Sequence, residues 1–234
     1  MKKISIITVS YNAASTIEAT ILSVIKQTYP LIEYIIIDGK STDRTLDIIK
    51  KYNKNISFWI SEKDGGIYDA MNKGLKIATG DYLLFLGADD RLFSEQTIES
   101  IISKLQEEEV YYGDCYMTTI RKVYWAKFNR YKLAIGNICH QSIFYPKKIY
   151  KNYIYDTSFK IYADYVYNLK IYNKIKFNYL DETISLFNYN GISSSSKDTK
   201  FKKKEYILVL QNLGIVPVII RLSYKLILSL LKRR

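Results

Sequence analysis

The sequence is poor in cysteine, proline, glycine and histidine: its 234 residues include 2 Cys, 3 Pro, 10 Gly and 1 His. Cys115 and Cys139 cannot form a disulfide framework and lack the paired short spacing of a zinc site, which fits a reducing compartment best. No repeat and no Gly-Ser tract precedes Ser193, so the first 190 residues contain no obvious linker. We therefore expect one continuous unit there, large enough for a catalytic domain.

Two phosphate-binding motifs are also missing. No Gly-x-Gly-x-x-Gly follows the first apolar run, and no Walker loop with Gly-Lys-Ser/Thr occurs. Backbone cradling of a dinucleotide or a triphosphate is therefore not indicated, which argues against hydride-transfer enzymes and ATPases. The first apolar run, residues 4–9, is too short for a signal peptide and lacks a small-residue cleavage site, so we expect a buried strand there.

Acidic residues are scarce in the second half of the chain. The formal charge of +12 divides into −4 for residues 1–120 and +16 for residues 121–234. A basic half suggests a polyanionic partner such as nucleic acid, an anionic membrane surface or a phosphorylated substrate. The acidic first half argues against a simple nucleic-acid binder, and a general bias towards lysine is the alternative explanation of the charge.

Short apolar runs alternate with helical patterns in the first 90 residues. Strands are predicted at residues 4–9, 34–37, 58–60 and 82–86, and helices after Ser15, at 45–52 and at 69–78. Continuous apolar strands of this kind predict an α/β fold with a parallel sheet covered on both faces. Ligands bind beyond the carboxyl ends of such strands.

Polar and acidic loops lie at those ends. They are Ser10-Tyr11-Asn12, Asp38-Gly39, Asp64-Gly65-Gly66 and Asp89-Asp90. Aspartates suit hydrogen bonding to a base or ribose and the binding of a hard divalent cation. An acidic site for a phosphate-bearing ligand requires such a cation as a bridge.

The loops resemble those of the inverting nucleotide-sugar glycosyltransferases of family 2. Five segments carry the resemblance in the family's order and spacing: residues 6–12, 37–45, 62–74, 80–90 and 140–142. The resemblance implies a GT-A fold, with a Rossmann-like, mostly parallel sheet flanked by helices. It implies a catalytic domain at 1–195, with a nucleotide-sugar half at 1–92 and an acceptor half at 93–195, before a helical tail at 196–234.

The resemblance also implies a donor site at the sheet edge. Asp38 is expected to hydrogen-bond the base, which in this family is most often uracil, and Tyr11 offers a stacking face. Helical spacing places Asp69, Asn72 and Lys73 on one face, which is expected to look towards the nucleotide-sugar. The expected donor-binding residues are Thr8, Ser10, Tyr11, Asn12, Asp38, Asp64, Gly65, Gly66, Asp69, Asn72, Lys73 and Asp89.

Asp89-Asp90 corresponds to the family's Asp-x-Asp metal motif, although the first aspartate of the strict form is absent. Taken alone, adjacent aspartates more often reflect turn chemistry. By the resemblance, Asp90 is expected to bind Mg²⁺ or Mn²⁺, and Asp89 to bind the ribose or the same metal. Water and diphosphate oxygens would complete the metal's coordination shell.

An inverting transfer is a single displacement, so one carboxylate must deprotonate the acceptor hydroxyl. Asp164 matches the position of the base in similar family members, and it stands in an otherwise apolar and aromatic stretch. A helix cap or the buried partner of a lysine is the alternative role for Asp164. His140 and Gln141 are expected on the acceptor side, where Trp125 either shapes the pocket or belongs to the core.

The carboxyl-terminal tail combines basic clusters with an apolar segment at residues 206–231, which polar residues interrupt before it reaches bilayer-spanning length. Arg221, Lys225 and Lys232 share one helical face, with leucine and isoleucine largely opposite. This pattern is typical of a helix that lies in a membrane interface, so residues 197–234 are expected to bind an anionic membrane surface. A helix packed on the domain or on a second subunit is the alternative.

The sequence therefore predicts a divalent-metal-dependent glycosyltransferase. Its expected partners are a nucleotide diphosphate sugar, most often a UDP-sugar, and a saccharide or polyprenyl-linked acceptor in cell-surface polysaccharide synthesis, without nucleic acid. We expect it to be cytoplasmic and peripheral at the inner face of the cell membrane. The alternatives are a nucleotidyltransferase of sugar activation and a basic membrane- or nucleic-acid-binding module without catalysis.

Overall fold

Four parallel strands form the half of the sheet that precedes residue 90. β1 (Ile4–Ser10) pairs with β2 (Ile32–Asp38) and β4 (Tyr82–Phe85), and β3 (Phe58–Ser61) pairs with β2. The register aligns Ser10 with Asp38, and Asp38 with Ser61, so three polar residues end adjacent strands at one edge. The structure, a computed structural model, describes residues 1–106, 108–124, 126–188 and 198–231.

The other half of the sheet mixes strand directions. β8 (Ile143–Pro146) is antiparallel to both β4 and β6 (Val110–Met117), and β9 (Phe177–Phe187) runs parallel to β6. The short strands β5 (Arg91–Leu92) and β7 (Lys122–Val123) pair antiparallel with β9 and β6. Across the described residues the order is β3-β2-β1-β4-β8-β6-β9-β5. The expected α/β fold with a mostly parallel sheet is confirmed.

Helices cover both faces of this sheet. One layer contains α1 (Ile17–Ile25), α2 (Thr45–Lys51) and α4 (Thr97–Ile102). The other contains α3 (Ile67–Ile77), α5 (Arg130–Ile135), α6 (Lys147–Tyr150) and α7 (Ala163–Tyr172). Alternate residues of β1 separate the two cores, because Ile6 packs in the first layer and Ile7 in the second. Short 3₁₀ helices occupy Asn53–Asn55 and His140–Ser142.

The two tail helices pack on the second layer. They are α8 (Thr199–Leu213) and α9 (Ile215–Leu231). Asp198 caps α8 by accepting a hydrogen bond from the Phe201 amide at 2.9 Å, and it also accepts one from the Ile161 amide at 3.1 Å. Phe201, Val209 and Leu213 are buried in the core that α7 lines. None of the helices within the described residues is both long enough and apolar enough to cross a membrane.

Two of the expected domain limits are not tested by this architecture. The limit between residues 195 and 196 lies outside the described residues, which omit 189–197. The division of residues 1–195 into a donor half and an acceptor half stays a prediction. The change from parallel to mixed pairing after β4 is compatible with it.

A buried ion pair joins α8 to α9. The Arg221 guanidinium donates to Glu205 Oε2 at 2.8 Å and to the Tyr165 hydroxyl at 3.1 Å, and it also binds the Ala134 carbonyl. Lys225 is a second partner of Glu205. Burial opposes ionisation of Glu205, but hydrogen bonds from Lys225 and Arg221 hold its pKa below the ordinary value. The contact therefore fixes which face of α9 meets the body.

Removing one member of this pair should destabilise the fold. Glu205→Gln leaves Arg221 buried without its counter-charge, so we expect the free energy of unfolding to fall by about 3 kcal/mol in denaturant titrations. The matched control is Glu182→Gln, which breaks the exposed Lys104–Glu182 pair at 2.7 Å and should cost less than about 1 kcal/mol. Equal losses in the two variants would contradict a structural role for the buried pair.

Candidate functional site

Asp38 ties three strand ends together. Its carboxylate is buried and accepts hydrogen bonds from the Ser10 hydroxyl at 2.9 Å, the Ser41 amide at 2.9 Å, the Ser41 hydroxyl at 2.5 Å and the Ser61 hydroxyl at 2.6 Å. These four donors fill the four lone-pair positions of the carboxylate. A nucleobase could therefore bind Asp38 only by displacing one of the four donors. In this structure Asp38 shapes the loop, and its expected contact with a base stays a prediction.

The loop after β1 presents an exposed aromatic ring. Tyr11 is 65% exposed at the sheet edge. Asn12 follows with a φ of 49°, a left-handed conformation that asparagine tolerates. The Asn12 amide donates to the Ser41 hydroxyl at 2.8 Å, and its side chain accepts from the Thr42 amide at 2.8 Å. Thr8 lies deeper, buried in β1 with its hydroxyl 3.1 Å from that of Tyr34.

The glycine turn before α3 packs directly on the Asp38 loop. Asp64 accepts a hydrogen bond from the Gly66 amide at 2.9 Å, and Asp69 accepts one from the Gly65 amide at 2.9 Å. Gly66 has a φ of 116°, which favours glycine. A Cβ at Gly39 would lie 2.5 Å from Asp64 Oδ2, so a larger residue there would displace the Asp64 carboxylate.

Asn72 lies on α3 with Asp69 and Lys73, but its side chain is buried, and its expected contact with the nucleotide-sugar stays a prediction. Lys73 lies 2.7 Å from Glu62 and 4.0 Å from Asp69, and the hydrogen bond to Glu62 raises the pKa of Lys73. The buried Asn72 amide instead forms two hydrogen bonds with the backbone of Tyr155, at 2.9 and 2.8 Å. Asn72 is turned into the core because it satisfies this buried backbone.

The two adjacent aspartates occupy opposite environments. Asp90 is 1% exposed, and its carboxylate accepts hydrogen bonds from the Gln141 side chain at 2.9 Å and the Asn188 amide at 3.0 Å. Burial, with Asp89 nearby, raises the pKa of Asp90 to about 6. Asp89 is the exposed member, although its carboxyl is partly enclosed and this desolvation raises its pKa. Asp89 is therefore the more accessible of the two carboxylates, and the expectation that Asp90 binds the metal directly stays a prediction.

Gly87 lies in the loop that carries Asp89 and Asp90, two residues after the end of β4. A Cβ at this position would lie 2.5 Å from Asp90 Oδ2 and 3.1 Å from Asp89 Oδ1. The missing side chain leaves room for the two carboxylates beside the backbone. Among the described residues no cluster of three or more His, Cys, Asp or Glu side chains could hold a metal ion. One exposed carboxylate together with phosphate oxygens and water is nevertheless a donor set that suits Mg²⁺ or Mn²⁺.

The His140–Ser142 turn connects these aspartates with Asp164. Gln141 holds Asp90, while His140 Nδ1 lies 3.4 Å from Asp164 Oδ2. His140 also lies close enough to Asp89 to oppose the rise of its pKa. The structure thus brings the expected metal, acceptor and base residues into one region. Trp125, the other expected acceptor-side residue, lies outside the described residues.

Three residues that the sequence analysis missed hold Asp164. Tyr68 donates to Asp164 Oδ1 at 2.9 Å and Asn137 donates to Asp164 Oδ2 at 2.8 Å. Asn168 in turn donates to Asn137 at 2.9 Å and accepts from the Tyr145 hydroxyl at 2.8 Å. Asn168 thereby fixes the orientation of the Asn137 amide that donates to the carboxylate. Asn168, a polar residue inside an apolar helix pattern, was the available sequence signal.

Comparison with known proteins identifies similar chains. The family model described as Glycosyl transferase family 2 matches residues 5–181. A PGL/p-HBAD biosynthesis glycosyltransferase from Mycobacterium bovis is 31% identical over 240 residues, covering 98% of this chain and 90% of its own.

Solved structures of two proteins resemble the fold. One is S. aureus TarS 1-349 in complex with UDP-GlcNAc, with a TM-score of 0.76, 21% identity, 90% of this chain covered and 67% of the other. In another TarS 1-349 crystal structure the match spans 60% of that chain. The second is mannosyltransferase PcManGT from Pyrobaculum calidifontis in complex with GDP-Man and Mn²⁺. Its TM-score is 0.66 at 15% identity, and the match covers 98% of this chain and 81% of that chain.

The contact between Gln141 and Asp90 generates a stability prediction. Gln141→Leu leaves a buried carboxylate oxygen without its donor, so the free energy of unfolding should fall by about 2 kcal/mol. Gln211→Leu, at an exposed glutamine on α8, is the matched control and should change stability by less than about 0.5 kcal/mol. Thermal and denaturant unfolding of both variants checks this, and a fully stable Gln141→Leu protein would refute it.

Proposed function

The chain belongs to Glycosyl transferase family 2, and on that premise we propose that it transfers one sugar, with inversion, from a nucleotide diphosphate sugar to a saccharide acceptor. The observation that carries this proposal is the turn at 140–142, which joins the Asp89-Asp90 loop to Asp164. The proposed donor-binding edge of the sheet and the hydrogen-bonded carboxylate of Asp164 thereby face one region. Membership of the family also decides against the nucleotidyltransferase and the non-catalytic binding module.

Asp164 is the proposed general base. Its carboxylate takes the proton of the acceptor hydroxyl while that oxygen forms a bond to the anomeric carbon. The bond between this carbon and the diphosphate breaks, and its electron pair leaves with the nucleotide. Tyr68 and Asn137 each occupy one carboxylate oxygen and hold the group in place. His140, beside the same carboxylate, and the adjacent Gln141 belong to the acceptor side in this proposal.

The proposed donor site is the edge formed by the loops after β1, β2 and β3. The exposed Tyr11 ring can stack on a nucleobase. UDP is the favoured nucleotide in this proposal, with the imide N–H of uracil replacing one of the four present donors to Asp38. TarS was solved with UDP-GlcNAc and PcManGT with GDP-Man, which supports a nucleotide-sugar donor. The other proposed contacts are Thr8, Ser10, Asn12, Asp64, Gly65, Gly66, Asp69 and Lys73.

Asp89 is the residue that we propose to hold a divalent cation. A bound Mg²⁺ or Mn²⁺ would neutralise charge on the departing diphosphate. The presence of Mn²⁺ in the PcManGT structure supports this choice of ion. Asp90 then has a positioning role, because its carboxylate anchors Gln141 and the end of β9 beside Asp89.

The proposed acceptor is a saccharide, free or linked to a polyprenyl lipid, in the synthesis of a cell-surface polysaccharide. The relative from M. bovis is named for PGL/p-HBAD biosynthesis. We place the reaction at the inner face of the cell membrane, where a soluble donor and a lipid-borne acceptor would meet. The positive charge of residues 121–234 supports this location.

Loss of the Asp164 carboxylate should abolish turnover without loss of donor binding. Asp164→Asn keeps the shape of the side chain but removes its basicity, so we expect kcat to fall about a thousandfold. The assay is release of UDP from UDP-glucose, UDP-galactose and UDP-GlcNAc with Mn²⁺, in parallel with calorimetric binding of UDP. Asp47→Asn, on the exposed side of α2, is the matched control. Turnover by Asp164→Asn at the unsubstituted protein's rate would contradict the assignment.

A further inference from the structure

The outward side of α9 is almost entirely apolar. We call this surface the outer face of α9, and its members are 38 to 63% exposed. They are Ile215, Val216, Ile219, Leu222, Leu226, Ile227, Leu228, Leu230 and Leu231. Soluble monomers seldom expose a continuous apolar surface of this kind unless it binds something.

The basic side of α9 faces the protein. Arg221, Lys225 and Lys232 were expected to share one helical face, with leucine and isoleucine largely opposite. In the structure Arg221 is 6% exposed and, with Lys225, faces Glu205 on the body of the protein. Lys232 lies outside the described residues. The basic side chains therefore attach the helix to the domain, and the apolar side chains point outwards.

Charge around the outer face indicates what covers it. The acidic residues of the segment 198–234 are Asp198 and Glu205, and both are buried and hydrogen-bonded inside the protein. The exposed lysines at 202–204 directly precede Glu205 on α8, and Glu205 pairs with Lys225 of α9. The sequence continues after α9 with Lys232-Arg233-Arg234.

The positive charge around the outer face of α9 is complementary to anionic lipid headgroups. A second copy of the chain would instead bring the same positive side chains against each other in a two-fold interface. We propose that the outer face of α9 binds the surface of an anionic bilayer, with its leucine and isoleucine side chains in the interface and the flanking basic residues at the headgroups.

The proposal also orients the domain. Arg221 contacts Tyr165, the neighbour of Asp164 in α7, and the Ala134 carbonyl in α5. The proposed membrane-binding helix is thus attached directly to α7, which carries the proposed base, and to α5. Membrane binding of this kind does not require glycosyl transfer, so it can be tested without donor or acceptor.

The test is flotation of the full chain with two kinds of vesicle, phosphatidylcholine alone and phosphatidylcholine with phosphatidylglycerol. We expect binding to the anionic vesicles only, weakened by added salt. The triple variant Ile219→Gln, Leu226→Gln and Leu230→Gln should bind them at least about tenfold less. The control variant Phe93→Gln, Ile120→Gln and Ile154→Gln replaces residues that are 51, 46 and 66% exposed elsewhere, and it should bind normally.

Circular dichroism shows that each variant is folded, and light scattering reports its mass. Equal binding by the two triple variants, or no binding of the unsubstituted protein to anionic vesicles, would overturn the proposal. A dimer of the unsubstituted protein that the α9 variant alone abolishes would assign the outer face to a second copy instead. Because vesicle binding is measured without nucleotide, its failure is separate from any failure of the proposed transferase activity.

Discussion

The buried carboxylate of Asp90 is the constraint on which the site depends. An ionisable group that is 1% exposed must have hydrogen-bond partners, and Asp90 finds them in Gln141 and the backbone of Asn188. These contacts fix the turn at 140–142 and the end of β9 against the loop that leaves β4. With Gln141 held in this way, His140 is placed beside Asp164, and the exposed Asp89 is left free to meet a ligand.

Sequence patterning predicted the first half of the fold well because its signals are local. Each strand before residue 90 is a continuous apolar run, and the polar residues that follow it are adjacent in the chain. The structure places β2 at Ile32–Asp38 and α3 at Ile67–Ile77, within two residues of the predicted limits. The mixed pairing of β6, β8 and β9 joins distant segments, so no local pattern indicated it.

The orientations of Asn72 and Asp90 could not be predicted from the sequence, for one physical reason. Whether a polar side chain faces a ligand or the core depends on partners far away in sequence. The Asn72 side chain forms hydrogen bonds with the backbone of Tyr155. The Asp90 carboxylate accepts hydrogen bonds from the Gln141 side chain and the Asn188 amide. Likewise the pattern of α9 indicated two faces but not which one lies inward, since that choice rests on the buried Glu205. Buried counter-charges and backbone groups decide such cases.

The measurement that tests the account most directly is calorimetric titration of UDP and GDP into the protein, with and without Mn²⁺, alongside Asp89→Ala. The account predicts micromolar binding of one nucleotide that requires Mn²⁺ and is lost in Asp89→Ala, while that variant stays folded. Failure of the folded protein to bind either nucleotide with Mn²⁺ present would contradict a metal-held donor beside Asp164. Undiminished Mn²⁺-dependent binding by Asp89→Ala would contradict the choice of ligand.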